Sequence, residues 1–523
     1  MAAGHSVAVG PACWQAGLEE LLGRVAGRFG RVEPCWRARA LVLGLLADLP
    51  RKNCWTLAEH AGNPTPDGMQ HLLGRAVWDE DGVRDDVRAY MGEHLGDPGA
   101  VLVVDETGDL KKGTATVGVQ RQYTGTAGRV ENAQVAVLLV YASPAGHAVI
   151  DRELYLPRSW TRDPERLRAA GVPAQVGFAT KPALATAMIT RALDAGVPAS
   201  WVAGDEVYGA DPKLRACLES RGIGYVLAVA CDHPVGAGGG TWRADALLRR
   251  VPARAWQCIS AGQGAKGHRY DDWAFVQLDP GARDPGHPGQ RWLLVRRNRK
   301  TGELAFYRCW MPRPTPLAVL VRVAGRHWTV EERIQTSKGL CGLDQHQVRR
   351  WRSWYRWMTL AMLAHAFLVV AALTNNTRHP PPPGLIGLTC TSCSTCSPRC
   401  SPVPPMTPPT GCAGRCGDAD SRPAPAPCLL PLPPAPTDHE DQRAACRPGA
   451  GSVATCQNRI VTLDKSGELW HGAAASQQRW SSLQHATTQI HDLRLGVLEF
   501  SAWPQRAGRV SGSARRRAPG SHD

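Results

Sequence analysis

The sequence lacks any segment typical of export or membrane insertion. Residues 1–20 have no basic stretch followed by a long apolar core, which a secretory signal requires. The longest apolar stretch, residues 358–373, is interrupted by Thr359 and His365 and is shorter than the roughly 20 residues that cross a bilayer. We therefore predict a buried helix there, no membrane partner and a cytoplasmic location.

Acidic residues are fewer than basic ones. The 523 residues include 46 Asp and Glu against 61 Lys and Arg, a formal net charge of +15. Because basic side chains release counterions when they meet phosphates, the excess favours a polyanionic partner, first of all nucleic acid. A basic tail or a basic proteome background would produce the same balance. The length suits two or three domains.

Paired cysteine spacings are absent from the first 375 residues, as expected of reduced thiols. Beyond residue 376 the chain becomes rich in Pro, Cys and Ser. There Cys390, Cys393, Cys396 and Cys400 have the C-x2-C-x2-C-x3-C spacing of an iron–sulfur run. Such a composition produces this spacing by itself, so a metal or redox centre and a compositional accident both stay open.

Three carboxylates each follow a short apolar run. Residues 101–104 are all Val or Leu and lead into Asp105, and residues 201–203 lead through a glycine into Asp205. Glu331 follows a third run and begins a stretch with helical periodicity. An apolar run of this length is typical of a strand buried on both faces, so we expect acids where rigid strands meet solvent. Three such oxygen donors could bind divalent cations for phosphoryl-transfer chemistry.

The order of predicted elements indicates an α/β core after a helical region. Residues 18–95 have helical periodicity throughout, which suits either a helix-turn-helix module, with Arg51, Lys52 and Arg75 as candidate phosphate contacts, or an ordinary helical packing domain. After Asp97-Pro98-Gly99 the pattern predicts four strands and then the helix Lys181–Ala195. The predicted strands are Ala100–Glu106, Val117–Tyr123, Gln134–Ala142 and His147–Leu156, with a hairpin turn at 143–146.

A β-rich insertion separates the second and third acids. The 331 − 205 = 126 positions between them exceed what one crossover needs. Strands are predicted there at Gly224–Val229, Trp273–Leu278, Arg291–Arg296 and Leu304–Trp310. Helical sequence returns from Pro316 to Leu373. Glu331 and Lys338 differ by seven positions and so lie on one helical stripe, roughly 10 Å apart along the axis.

Four arginines alternate with aromatic residues near the start of the last helix. This block could contact backbone phosphates and stack on exposed bases, or its tryptophans could belong to the core while its arginines are solvated. The arginines are Arg349, Arg350, Arg352 and Arg356, and the aromatic residues are Trp351, Trp354, Tyr355 and Trp357.

Three motifs in this order resemble a DDE-type bacterial insertion-sequence transposase, of the DDE superfamily endonucleases. They are VVDETGDLKKGTATVGVQRQYTG, GDEVYG and WTVEERIQTSKGLCGLDQHQVRRWRSWYRW, and the resemblance covers roughly residues 15–375. It implies a ribonuclease-H-like mixed sheet with a β-rich insertion, an all-α N-terminal domain and a low-complexity tail. The expected segments are 1–97 (helical, candidate DNA-end binding), 98–210 (first part of the core), 211–315 (insertion), 316–375 (helical completion of the core) and 376–523 (Pro/Cys-rich, disordered tail).

The resemblance also implies the chemistry. Asp105, Asp205 and Glu331 would be the metal-binding catalytic triad, with two Mg²⁺ ions, or Mn²⁺ in their place, bridged by Asp105. Glu331 is preferred over Glu332 because the family's glutamate precedes a lysine by seven positions. Many relatives carry arginine four positions before that glutamate, whereas this chain has His327 there. The predicted DNA contacts are Lys338, Lys111, Lys112, Arg121, Tyr123, Arg349, Arg352 and Arg356.

The expected function is transposition. The chain would cut and join insertion-sequence ends in double-stranded DNA, bind terminal repeats and target DNA as a homodimer, and lie with the bacterial nucleoid in the cytoplasm. The alternative is a catalytically defective relic that occupies element ends. The Cys/Pro tail does not resemble the family's ending, and a shifted reading frame near residue 380 is our hypothesis for it. Sequencing the gene tests this, because one frame change should restore a family-like helical ending.

Overall fold

A computed structural model describes residues 11–264, 267–279, 289–381, 387–395, 459–463 and 469–473. The N-terminal part is helical, as predicted. Its buried leucines, such as Leu41, Leu45 and Leu72, form one core with the rest of the protein. Asn53 caps the third helix in a reciprocal capping box with Thr56, which fixes where that helix begins. The helices are α1 Pro11–Val25, α2 Val32–Leu46, α3 Cys54–His60, α4 Asp67–Gly74 and α5 Glu80–Leu95, with a 3-10 turn at Ala26–Arg28.

Six strands follow, and five helices lie in the connections between the fourth, fifth and sixth of them. The strands are β1 Val101–Leu110, β2 Gln120–Thr124, β3 Arg129–Ala142, β4 His147–Leu154, β5 Trp201–Gly204 and β6 Gly224–Val229. The helices between them are α6 Arg158–Thr161, α7 Pro164–Ala170, α8 Lys181–Asp194, α9 Glu206–Gly209 and α10 Pro212–Ser220. The predicted hairpin turn is present, with the amide of Ser143 donating to the carbonyl of Gly146 at 2.9 Å.

The strand order confirms the ribonuclease-H-like core. β4, β3, β1, β5 and β6 lie side by side in that order. β3 is antiparallel to both β1 and β4, whereas β5 and β6 run parallel to β1. The first three core strands therefore form a meander, and the last two return through helical crossovers to the other side of β1.

The β-rich insertion extends the same sheet. β6 was expected within the insertion but pairs with β5, so the core sheet continues past the predicted boundary at residue 210 to Val229. The inserted strand β12 then pairs antiparallel with β6, followed outward by β11 and β10. The inserted elements are β7 Pro234–Ala237, β8 Gly240–Arg243, α11 Ala244–Leu248, a 3-10 turn at Ala253–Ala255, β9 Gln257–Gly264, β10 Gly267–Gln277, β11 Gln290–Arg297 and β12 Leu304–Met311.

Two long helices complete the core. α12 Leu317–Cys341 packs on β1 and β5, and α13 Trp351–Arg378 packs on β4 and on the N-terminal helices. Within the described residues, α13 is the one helix long and apolar enough to cross a membrane, yet most of it is buried inside the protein. This confirms the buried helix predicted at 358–373.

Parts of the segment after residue 376 are described. They are α14 Cys390–Thr395, β13 Arg459–Leu463 and β14 Leu469–Ala473. Cys390 and Cys393 are buried where α14 packs on α12 and α13. Cys396 and Cys400, the other members of the predicted iron–sulfur spacing, lie outside the described residues.

Candidate active site

Asp105 and Asp205 lie at the same level on neighbouring parallel strands. Val103 of β1 is in register with Ala203 of β5, and each aspartate follows two residues later. Neighbouring strands are about 4.8 Å apart, so the two backbones are adjacent at this point. The structure therefore brings together two acids that are 100 positions apart in the chain.

Asp105 does not end its strand, contrary to the sequence prediction. β1 continues to Leu110 because β3 keeps pairing with it, from Asp105 beside Leu138 to Leu110 beside Ala133. Only the pairing with β5 stops before Asp105. The half-buried carboxylate accepts a hydrogen bond at 2.7 Å from the amide of Glu106.

Asp205 begins a tight helical turn. Its side chain caps α9 by accepting from the amide of Val207 at 2.9 Å. Gly209 ends this turn against β6, where a Cβ would overlap the carbonyl oxygen of Ala228. The motif Gly204–Gly209 is thus fixed by backbone contacts, which set the position of the Asp205 carboxylate.

The pKa of Asp105 responds to its surroundings. Burial raises the pKa of Asp105 to about 7; the amide of Glu106 opposes the rise, and the negative charge of Asp205 adds to it. The buried hydroxyl of Tyr208 lies in the same field, and burial together with Glu106, Asp205 and Asp105 raises its pKa well above the usual value. Lys338 is the cation that offsets this charge at Asp105.

The third predicted acid is on α12. Glu331 lies in this helix, which packs on β1 and β5, but its side chain is outside the described residues, as is that of Glu332. Lys338, two turns further on, is 5% exposed and its Nζ lies 4.0 Å from Asp344 Oδ2. The lysine of the family spacing therefore acts electrostatically on Asp105 from the helix that carries Glu331.

The residues present suit divalent cations. One oxygen of each aspartate is held by a backbone amide, while the other oxygen has no hydrogen-bond partner among the described residues. Paired carboxylate oxygens are hard donors, and their mutual repulsion would be relieved by a bound cation. Among the described side chains no group of three His, Cys, Asp or Glu could hold a metal ion, and the side chain of Glu331, the third predicted ligand, lies outside them.

Comparison with known proteins agrees with this geometry. Residues 27–241 match the family model described as DDE superfamily endonuclease. This segment is similar to the DDE superfamily endonucleases. It contains Asp105 and Asp205, and Glu331 lies beyond it.

The chain is also similar to a transposase. The probable transposase for insertion sequence element IS701 of Microchaete diplosiphon is 32% identical over 197 residues, which are 37% of this chain and 49% of the relative. The chain therefore spans about half the length of that relative.

A second polar cluster lies further along β1, at Asp109. His346, which is buried, makes a 3.2 Å contact from Nε2 to Asp109 Oδ2. Lys111 donates to the carbonyl oxygen of His346 at 3.2 Å and lies 3.9 Å from Asp109. Burial lowers the pKa of Lys111, against the opposing effect of Asp109. Lys111 is therefore held by its neighbours rather than free in solvent.

Five of the remaining predicted DNA contacts are exposed. Lys112, Arg121, Arg349 and Arg352 are exposed, and Tyr123 is 61% exposed. Arg121 and Tyr123 lie on the β2–β3 hairpin, beside Asn132 and Val130. Side chains alternate along β3, so these two residues share a sheet face with Asp105.

Arg356 is buried, unlike these five residues. It is 1% exposed and donates to the carbonyl oxygens of Leu72 and Trp78 and to Glu80 at 3.2–3.3 Å. Its guanidinium is fully used within the protein, so we exclude it from the DNA contacts. Trp354 and Trp357 are likewise core residues.

Lys52 is also buried and hydrogen-bonded within the protein. This lysine, a candidate phosphate contact in the helix-turn-helix interpretation, is 4% exposed. Its Nζ donates to the carbonyl oxygen of Leu45 at 2.7 Å and to that of Leu340. It joins the ends of α2 and α12 and cannot reach a phosphate from there. Arg51 and Arg75 are exposed.

The sequence did not predict the side chains on the other face of the sheet from Asp105, namely Glu106, Lys181 and Tyr208. Glu106 forms an ion pair with Lys181 at 2.6 Å, and Tyr208 inserts its hydroxyl near it. Consecutive strand residues point to opposite faces, so the Asp105-Glu106 pair could have indicated two different environments. Nothing in the local sequence points to Lys181, which is 75 positions away.

Proposed function

We propose that this protein is a DNA transposase that cuts and joins insertion-sequence ends, with Asp105, Asp205 and Glu331 as its catalytic metal ligands. The observation that carries the proposal is the adjacency of Asp105 and Asp205 on parallel strands, with the positive charge of Lys338 of α12 acting on Asp105. The family match and the IS701 transposase relative support the same reaction class.

The protein's own groups would act as follows. The two carboxylates, held by the amides of Glu106 and Val207, present fixed oxygens to the cations. Bound Mg²⁺ or Mn²⁺ would supply Lewis acidity for the attacking and leaving oxygens of the phosphodiester. Lys338 would stabilise negative charge on the scissile phosphate, and Lys111 would support it from the Asp109 cluster. Lys112, Arg121, Tyr123, Arg349 and Arg352 would position the DNA strand.

The partners and location are part of the proposal. We infer binding of terminal repeats and of target DNA, with the helical residues 1–97 contacting element ends. A homodimer in the DNA complex would allow two ends to be processed together. The site of action would be the bacterial nucleoid.

Cleavage of labelled terminal-repeat DNA by the purified chain tests the reaction. Nicking should require Mg²⁺ or Mn²⁺ and should be lost in Asp105→Asn, Asp205→Asn and Glu331→Gln, whereas DNA binding in a gel shift is retained. Glu332→Gln is the matched control and should cleave normally. Undiminished cleavage by all three variants would exclude the proposed triad.

A DNA-binding relic without catalysis is the second candidate. The observation in its favour is His327, at a position where many relatives carry arginine. This candidate predicts a gel shift with terminal-repeat DNA but no nicking by the unmodified chain in either metal. If His327→Arg then gains cleavage, the position accounts for the defect.

A further inference from the structure

Cations and aromatic rings alternate along a path that ends at Glu106, the neighbour of Asp105 in the chain. The Arg158 guanidinium lies 4.5 Å from the centre of the Phe178 ring, and the rings of Phe178 and Tyr155 are 6.5 Å apart, edge to face. Lys181 Nζ lies 5.7 Å from the Tyr155 ring and pairs with Glu106 at 2.6 Å. We call Arg158, Phe178, Tyr155 and Lys181 the cation–aromatic row.

The sheet register places this row near the level of the acids, on the face of the sheet opposite the Asp105 side chain. The amide of Tyr155, just past β4, donates to the carbonyl of Val135, which is in register with Gly108 of β1. Tyr155 is therefore two strands from β1, about 10 Å away, and three residues beyond the level of Asp105. The row approaches on the Glu106 side of the sheet, whereas Lys338 approaches on the Asp105 side.

The outer end of the row is open to solvent. Arg158 is exposed and Phe178 is 36% exposed, so part of both side chains is accessible. Lys181 is the first residue of α8, a 14-residue helix capped by Thr180. The positive end of that helix adds to the charge of the lysine.

This chemistry fits an unpaired stretch of nucleic acid. Cations along a groove contact phosphates, and aromatic rings stack on bases without sequence preference. Paired bases in a duplex are stacked on one another and offer no free face to Phe178. The partner that uses both components of the row is thus a single strand.

We propose that the cation–aromatic row binds a short unpaired segment of the DNA strand that enters the site of Asp105 and Asp205. The inference rests on the proposed transposase function and specifies which part of the substrate this surface takes. Phe178 would stack on a base and Arg158 would contact a neighbouring phosphate, while Lys181, paired with Glu106, would add positive charge at the inner end of the row.

Fluorescence anisotropy with the full-length chain tests the row. The probes are a blunt duplex and the same duplex with a single-stranded extension of about six thymidines, a length within the range that one such surface covers. Ca²⁺ replaces Mg²⁺ so that the DNA stays intact. The variants are Phe178→Ala and Arg158→Gln, with Phe178→Trp as the conservative change and Arg221→Gln as an exposed-charge control.

Wild type should bind the extended duplex about 5- to 10-fold more tightly than the blunt one, the lower part of the range expected for one stacked base. Phe178→Ala and Arg158→Gln should abolish this preference without weakening blunt-duplex binding, and Phe178→Trp should keep it. Equal weakening for both probes would assign the row to the duplex backbone and overturn the proposal. An unchanged preference in Phe178→Ala would also overturn it.

The two proposals fail in distinguishable ways. Asp105→Asn should show the wild-type preference, because the row does not include the acid. If wild type cleaves terminal-repeat DNA but the row variants bind as wild type does, only the row is wrong. If wild type binds neither probe nor terminal-repeat DNA, the transposase function fails as well.

Discussion

Asp105 and Asp205 each lie two residues beyond one register pair, Val103 beside Ala203. Because their like charges meet at this level of the sheet, a divalent cation bound between them should stabilise the folded protein. We expect added Mg²⁺ to raise the midpoint of thermal unfolding in wild type, with no rise in Asp105→Asn or Asp205→Asn.

Asp211 provides a matched control for this metal effect. It caps α10 just as Asp205 caps α9, by accepting from the amides of Lys213 and Leu214. Asparagine caps helices nearly as well as aspartate, so neither Asp205→Asn nor Asp211→Asn should unfold the protein. Asp211→Asn should keep the full Mg²⁺ response. A response that persists in Asp205→Asn would place the cation elsewhere.

Gly209 should tolerate no side chain. A Cβ there would overlap the carbonyl oxygen of Ala228, so the turn that holds Asp205 would have to move. We expect Gly209→Ala to lose about 1–3 kcal/mol of unfolding free energy in urea, the usual cost of overpacking. Gly92→Ala, in the last turn of α5 with open space around its Cβ, should instead gain up to about 0.5–1 kcal/mol. Equal effects of the two changes would contradict the contact.

Arg356 should contribute mainly to stability. The substitution Arg356→Met would remove the guanidinium that donates to Glu80 at 3.2 Å. The carbonyl oxygen of Trp78 would lose the same donor. We expect a loss of about 3 kcal/mol of unfolding free energy, as for breaking one side of a buried ion pair. Arg352 is 65% exposed and lies 3.6 Å from the same glutamate, so Arg352→Met should change stability by less than about 1 kcal/mol. Urea titrations compare the two.

Local sequence patterns were sufficient for the elements but not for their partners. The apolar residues 101–104 predicted β1, and the breaker at residues 143–146 predicted the β3–β4 hairpin. The strand at Gly224–Val229 was also predicted, yet its place beside β5 was not, because a buried strand in the core and one in an insertion have the same composition. The end of β1 was misplaced for a related reason: pairing with β3 carries it past Asp105.

The arginine block shows the same limit at the level of side chains. Arg352 and Arg356 are one helical turn apart and look alike in sequence, but one is exposed and the other reaches the carbonyls of Leu72 and Trp78. Those partners lie 284 and 278 positions away. Spacing identifies residues on one helical stripe, whereas burial depends on which distant helix covers the stripe.

His346 should make stability depend on pH in a defined direction. Burial lowers its pKa below the ordinary 6.5, although Asp109 favours the charged form and Lys111 opposes it. The folded protein therefore keeps this imidazole neutral at pH values where the unfolded chain protonates it. Its contribution is fully present above pH 6.5 and declines as the pH falls below that value, by at most about 1.4 kcal/mol per pH unit for one group.

Comparison of wild type with His346→Gln measures the contribution of His346 to the pH dependence of stability. Glutamine can still donate to Asp109 Oδ2, the 3.2 Å partner of Nε2, but it does not titrate. The difference in unfolding free energy between the two proteins should be constant above about pH 7. Between about pH 6.5 and 5, wild type should lose more unfolding free energy than His346→Gln. The exposed His60 serves as the control, since His60→Gln should leave the slope of wild type unchanged. If His346→Gln and wild type lose stability in parallel below pH 6.5, the folded protein does take up a proton at His346, and its neutral state in the Asp109 cluster is wrong.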